Sequence, residues 1–544
     1  MSYKQDSKEK SREELWRHAI SAMTVARKSS RVLNLEYLKT LWNYAWDDVL
    51  SNVLDVSKER HRIAKYFENW AEYSESCYSE KSPEDLRVAF FSGPEPENDL
   101  RILLSLGIRI ENVWAFEADK DTYSKALDKA RQNFPYLKIF PGSLGDFFKT
   151  NHLTFDIIYL DFTGSLVARS LKTLSVLHAT FDEQALSDLS VLVVNSCEPD
   201  AAQDNCDFLS AYYYFQPMVE CSVYGKSPHQ QDNKLISWFS EPASAHGYEP
   251  KNLSQMAYDN MRGVYSAFAT SYPLYYSNFI SPTLRFLRNA SLRKQLFSSD
   301  KATHKEAFDR MGDVSSLLSE FIPDSESNDD HIISGDRIFN ADSFPFWNFI
   351  DSLQSMGGAL GQYWFNEFSK PKDGASVLDA AKFRESLAET LSGYDGLLSD
   401  NIKKEIRRVN SAIPDARGGL FCDIPMAHLW LELGLNQLGA PYHSNINNHR
   451  RWTYKAKVRQ MHLDAFTFDR CRSMYDYLPM VDMYGDVLDN LLPQLIVRCC
   501  IDAIGKQIRW PLPNLYYGSN IACINDDIKG ADFGELEARV EIQA

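Results

Sequence analysis

Between Arg12 and about Glu75 the apolar residues recur at spacings of three and four: Leu15, Ile20 and Val25, then Leu38, Leu41, Ala45, Val49 and Val53, with Lys and Arg between them. That period puts apolar side chains on one face of a helix, so the pattern predicts a helical preface. It breaks at Ser82-Pro83, and short apolar runs take over. Arg87–Phe91 reads as a buried strand ending in the turn residues Ser92-Gly93-Pro94. Further strands are expected at Val113–Phe116, Leu137–Phe140, Asp156–Leu160 and Ser190–Val194. Helices are expected between them, from about Asn98 to Leu106, from Asp121 to Asn133, near Asp146, and from Leu166 onward. Five strands alternating with helices predict an α/β doubly wound parallel sheet.

Past Glu198 the chain turns helical and aromatic-rich, with helices expected over 207–218, 253–269 and 281–297. The polar stretch Pro323–Asp330 is too poor in apolar residues to pack, and Lys370–Ala375, with Pro371 and Gly374, is a second break. The division expected is therefore a helical segment over 1–81, an α/β domain over 82–200, a helical middle region over 201–337 and a large, mainly α-helical C-terminal region over 338–544.

Composition narrows what such a chain does. With 544 residues and 44% hydrophobic content it can bury large cores. A net charge of −16 argues against broad attraction to nucleic-acid phosphates, so any such contact must be local. The polar start, MSYKQDSKEKSREE, lacks the apolar stretch of a secretory signal, and no run approaches the roughly 20 apolar residues that cross a bilayer. A cytoplasmic protein with no membrane contact is expected. Nine cysteines without a CxxC pair read as reduced, mostly buried thiols, and no HExxH or paired-cysteine spacing points to a metal. His443, His449 and His462 match no ligand spacing and are expected to be structural.

In doubly wound sheets ligands bind beyond the carboxyl ends of the strands. The first strand ends in Phe91-Ser-Gly-Pro-Glu-Pro-Glu-Asn-Asp99, where Gly93 permits a tight turn before a helix start. The second ends in Phe116-Glu-Ala-Asp119, placing Glu117 where a carboxylate can accept from two ribose hydroxyls. A glycine turn followed about twenty residues later by an acid is the logic of nucleoside recognition in these folds. Over about residues 86–199 the chain thus resembles the class I S-adenosylmethionine-dependent methyltransferases, whose domain is Rossmann-like. The resemblance implies S-adenosylmethionine as cofactor. It implies that Ser92, Gly93 and Glu95 line the first loop, that Glu117, with Asp119 beside it, holds the ribose, and that Ser143 and Leu144 surround the adenine. Asp161, in Asp156-Ile-Ile-Tyr-Leu-Asp-Phe-Thr-Gly164, would face the reaction centre as the catalytic residue. The sequence departs from the family in having one glycine instead of a GxGxG loop and Ser143 where an acid commonly stands. Asp161-Phe-Thr-Gly164 lacks the prolines of exocyclic-amine base methyltransferases, and no Pro-Cys nucleophile is present.

A second constellation is basic. Between Ile446 and Arg472 seven Lys and Arg stand against two acids, with aromatics interleaved. Arg450, Arg451, Trp452, Lys455, Lys457 and Arg459 could grip phosphates and stack bases, or could serve as a solvated face or as partners for surplus acids. Two readings follow. One is a methyltransferase acting on a macromolecule, with nucleic acid the favoured substrate. The other is a catalytically inactive methyltransferase-fold subunit that binds protein partners or scaffolds a larger assembly, for which an antiviral defence complex is a fitting setting.

Overall fold

The computed structural model describes residues 6–44, 46–47, 60–170, 172–213, 250–298, 345–391, 398–404, 407, 426–477, 496–497, 499–501, 503–504 and 537–543. The polar stretch 323–330 lies outside them. The preface is helical as its period requires: α1 (Asp6–Met23), α2 (Arg27–Ser30), α3 (Leu35–Tyr44) and α4 (Arg60–Ser76). The five apolar runs form β1 (Val88–Phe91), β2 (Val113–Glu117), β3 (Lys138–Pro141), β4 (Phe155–Asp161) and β5 (Leu186–Cys197). Between them lie α5 (Glu97–Ser105), α6 (Lys120–Asn133), α7 (Leu144–Thr150) and α8 (Thr173–Asp182). The helix expected from Leu166 begins only at Thr173. The backbone before it is bonded elsewhere: the Leu166 N–H donates to the Tyr265 hydroxyl at 2.9 Å, and the Val167 carbonyl accepts from the Trp364 indole at 3.0 Å.

The strands pair in parallel as β3-β2-β1-β4-β5, and the sheet then continues. β6 (His443–Ser444), β7 (Arg450–Ala456), β8 (Arg459–Asp469) and β9 (Val540–Glu541) extend it in the order β5-β8-β7-β9, with β6 also on β8. β8 runs antiparallel to β5 from Leu189↔Asp469 to Cys197↔Met461, and β7 antiparallel to β8. The result is one nine-stranded mixed sheet, mostly parallel, within an α/β fold. The expectation of a doubly wound parallel sheet of five strands is corrected here, because four strands from the mainly helical C-terminal region join it and make it mixed. β5 is buried along nearly all of its twelve residues, and its outer backbone edge needs a partner, which 459–469 supplies.

Alternation along the strands sorts side chains onto two faces. Val88, Phe90, Ile157, Tyr159, Val191, Val193, Leu463 and Ala465 pack with Leu15, Trp16 and Ala19 of α1 and Leu100 and Leu103 of α5. Ala89, Ile158, Leu160, Leu192, Val194, Phe466 and Phe468 face a thicker helical layer. That layer includes α8, α9 (Gln203–Tyr213), α10 (Pro250–Asp259), α11 (Met261–Tyr275) and α12 (Ser281–Arg288), joined through a π-helical turn at Tyr276–Ile280. It continues with α13 (Ala290–Leu296), α14 (Pro345–Met356), α15 (Gly358–Ser369), α16 (Val377–Leu391) and α17 (Met426–Gly439). The preface is bound to the far end of the chain. Asp469 accepts from the Val32 N–H at 2.9 Å and the Tyr78 hydroxyl at 2.8 Å, and the Trp70 indole donates to the Ser473 carbonyl. Among the described residues no helix is long and apolar enough to cross a membrane.

Candidate functional site

The loops after β1, β2 and β3 form a continuous rim at the carboxyl edge of the sheet. Register brings them level, with Phe91 opposite Phe116 and Glu117 opposite Pro141. Backbone bonds then join them, from the Ser92 N–H to the Phe116 carbonyl at 3.0 Å and from the Gly142 N–H to the Glu117 carbonyl at 2.9 Å. Gly93 sits in the left-handed region at φ +54°, which glycine adopts without strain, and the space a Cβ would enter is open for 4 Å. The Ser92 hydroxyl is buried and has no partner in the structure. Glu117 is half-buried, and its Oε1 accepts from the Asp119 N–H at 2.9 Å. Asp119 caps α6 by accepting from the Thr122 N–H at 2.8 Å, a bond that lowers its pKa. Ser143 caps α7 through the Asp146 N–H, and the Leu144 side chain is committed to the core. Glu95 is exposed and paired with Lys129 of α6 at 2.8 Å, which lowers its pKa. Of the residues expected to bind cofactor, Ser92, Gly93, Glu117 and Ser143 meet at this rim. Asp119 and Leu144 hold its helices, and Glu95 lies farther out on Lys129.

Asp161, at the end of β4, lies beside this rim in a polar centre whose other members the sequence reading did not find. Its Oδ1 accepts from Asn195 Nδ2 at 2.6 Å, and its Oδ2 is 3.2 Å from the Lys8 ammonium of α1. Asn195 also donates to the Tyr454 hydroxyl at 2.8 Å, while its own Oδ1 is buried without a partner. Next to it, buried Asp99 of α5 accepts from the Trp16 indole at 3.0 Å and lies 3.4 Å from Arg12 Nε. Burial pushes the Asp99 carboxyl up against the opposing pull of Arg12. Lys8, Arg12 and Trp16 follow one another at a spacing of four, so a single face of α1 lies across the centre. A spacing of four is common to every amphipathic helix, and nothing in the sequence ties it to carboxylates some 90 and 150 residues away.

The basic stretch is a β-hairpin, and its six residues separate. Arg451 and Trp452 are buried, the first 3.7 Å from buried Asp464, the second in the core with α1. Arg450 pairs with Glu537 at 3.6 Å. Only Lys455, Lys457 and Arg459 stand exposed together at the tip, around Val458, which is 94% exposed. The tip adjoins the Asp161 centre, because Ser7 of α1, next to Lys8, donates to the Lys455 carbonyl at 3.1 Å.

His443, His449 and His462 are buried and bonded to Tyr475, Asp464 and Glu198 respectively. Burial lowers all three, His462 to about 4 and His443 to about 3. Among the described residues no group of three or more His, Cys, Asp or Glu is placed to hold a metal ion. Compared with known proteins, the chain matches no family, no curated protein and no solved structure.

Proposed function

We propose that this protein is a Rossmann-like, S-adenosylmethionine-dependent methyltransferase-type enzyme acting on a macromolecule. One observation carries the reading: the hydrogen-bonded rim that aligns the loops after β1, β2 and β3, with Glu117 at its middle and open space over Gly93. The residues present fit a nucleoside cofactor: Glu117 would accept from ribose hydroxyls, the Ser92 hydroxyl lacks a partner, and Ser143, at the start of α7, would border the adenine. When bound, S-adenosylmethionine supplies an electrophilic methyl group. Asp161, half-buried beside the rim and oriented by Asn195, would hold the acceptor group. Isothermal titration with S-adenosylmethionine and S-adenosylhomocysteine tests this. Micromolar binding that Glu117→Ala weakens at least about tenfold is expected, and no heat from either ligand would reject the reading.

A second reading, a catalytically silent scaffolding subunit, is favoured by one feature: the chain itself engages both oxygens of Asp161, through Lys8 and Asn195. It predicts that Asp161→Ala leaves the function of any purified assembly unchanged. Loss of activity with normal assembly would exclude it.

A further inference from the structure

We infer that the centre around Asp161 is a site for an alkylammonium group, occupied by Lys8 of the same chain, and that the substrate group it takes is a lysine side chain of another protein. The inference rests on the reading of this edge as a reaction centre and gives that centre its substrate class.

The sheet and α5 bring acceptors to the centre. Asp161 and Asp99 are carboxylates, the Asn195 Oδ1 is buried with no partner, and the Tyr454 hydroxyl already accepts one bond. Tyr159 lies beside them, its ring 5.6 Å from Trp16 and edge-on to it. The cations recorded against the two carboxylates, Lys8 and Arg12, both come from α1. Buried Asp99 and half-buried Asp161 are costly to desolvate unless cations meet them, so the centre selects positive charge. The cation at Asp161 is an ammonium on a four-carbon stem carried by α1, and its side chain remains 31% exposed to solvent. A lysine from a second protein presents the same shape and charge. A phosphate backbone at this point would face Asp161 and Asp99. Nucleic acid is therefore the disfavoured substrate here, although Lys455, Lys457 and Arg459 are nearby.

Displacing Lys8 makes the site accessible, and the test needs no cofactor. Lys8→Ala and wild-type protein are titrated with Nα-acetyl-lysine methylamide and with its neutral isostere, Nα-acetyl-norleucine methylamide. Lys8 is partly exposed, so its removal should leave the fold intact, checked by thermal unfolding. The expected result is a gain of lysine-analogue binding in Lys8→Ala, with the neutral isostere at least about tenfold weaker. Adding the isosteric Asp161→Asn should remove the gain. Lys8→Ala protein that binds neither compound, binds both alike, or gains affinity for a short single-stranded oligonucleotide instead overturns the inference. Because the titration is done without S-adenosylmethionine, its failure is read separately from a failure of cofactor binding.

Discussion

Asp464 is the hub of a buried charge cluster assembled from distant parts of the chain. Burial alone would raise its pKa, but Arg539 at 2.6 Å, His449 at 3.1 Å and Arg451 hold it below the ordinary carboxylate range. In sequence Arg451 sits in a basic run that reads as solvent-facing, because its counter-charge, Asp464, lies on the next strand and is shared with Arg539 from near the far end of the chain. Removing one member of a buried charge cluster strands the rest. Asp464→Ala should therefore destabilise the protein by about 3–5 kcal/mol in denaturant unfolding, and a cost below about 1 kcal/mol would show the cluster is not load-sharing. The buried histidines give a pH dependence of known sign. A folded pKa below the unfolded one near 6.5 means that the unfolded chain takes up protons first as pH falls. Stability from His462 is thus complete above about pH 6.5 and is lost toward its folded pKa of about 4, a change of about 3 kcal/mol. His462→Gln should flatten the fall in stability between pH 6.5 and 4, and unfolding curves at several pH values would reveal an unchanged slope if it does not. Asp469, raised to about 6 by burial, works in the opposite direction, losing its contribution as pH rises from about 4 to about 6.

The elements legible in the sequence were those whose pattern is local. β1 to β5 are short apolar runs closed by turn residues, and each lies within a few residues of its expected place. β7 and β8 were not legible as strands. Their charged positions, Arg450, Arg451, Lys455, Lys457 and Arg459, hide the alternation of this hairpin, and the strand it joins, β5, lies far back in the chain. The face that α1 lends to Asp161 and Asp99 was invisible for the same reason. A close crossing of helices gives an element-scale test. A Cβ on Gly439, at the end of α17, would lie 2.4 Å from the Pro282 carbonyl of α12, while Arg285 donates to the Gly439 carbonyl at 2.6 Å. Gly439→Ala forces those backbones apart and should cost about 1–3 kcal/mol, measured by chemical denaturation. A neutral outcome would mean that the crossing relaxes freely.

At the scale of the whole molecule, the sheet is one object built from chain segments far apart. Residues 82–200 contain β1 to β5, but alone they would leave the buried β5 edge unpaired where β8 now lies. Expressed by itself, that stretch should aggregate or expose surface that binds a hydrophobic dye. Co-expression with a fragment carrying 426–477 should reduce this, and a soluble, cooperatively unfolding 82–200 fragment would refute the dependence. The α/β class could be read because it follows from a repeating local alternation, whereas the closing strands could not, since their partners are set by the finished core. The bond network from Asp469 to Val32 and Tyr78 carries the matter into biosynthesis. The preface and the first five strands emerge early, but their anchor does not exist until residue 469 has been made. At usual translation speeds the ribosome takes on the order of tens of seconds to travel from the end of β5 to that point. For that interval the nascent chain carries an uncapped sheet edge, so its yield in the cell should depend on chaperones that hold such edges until the last strands arrive.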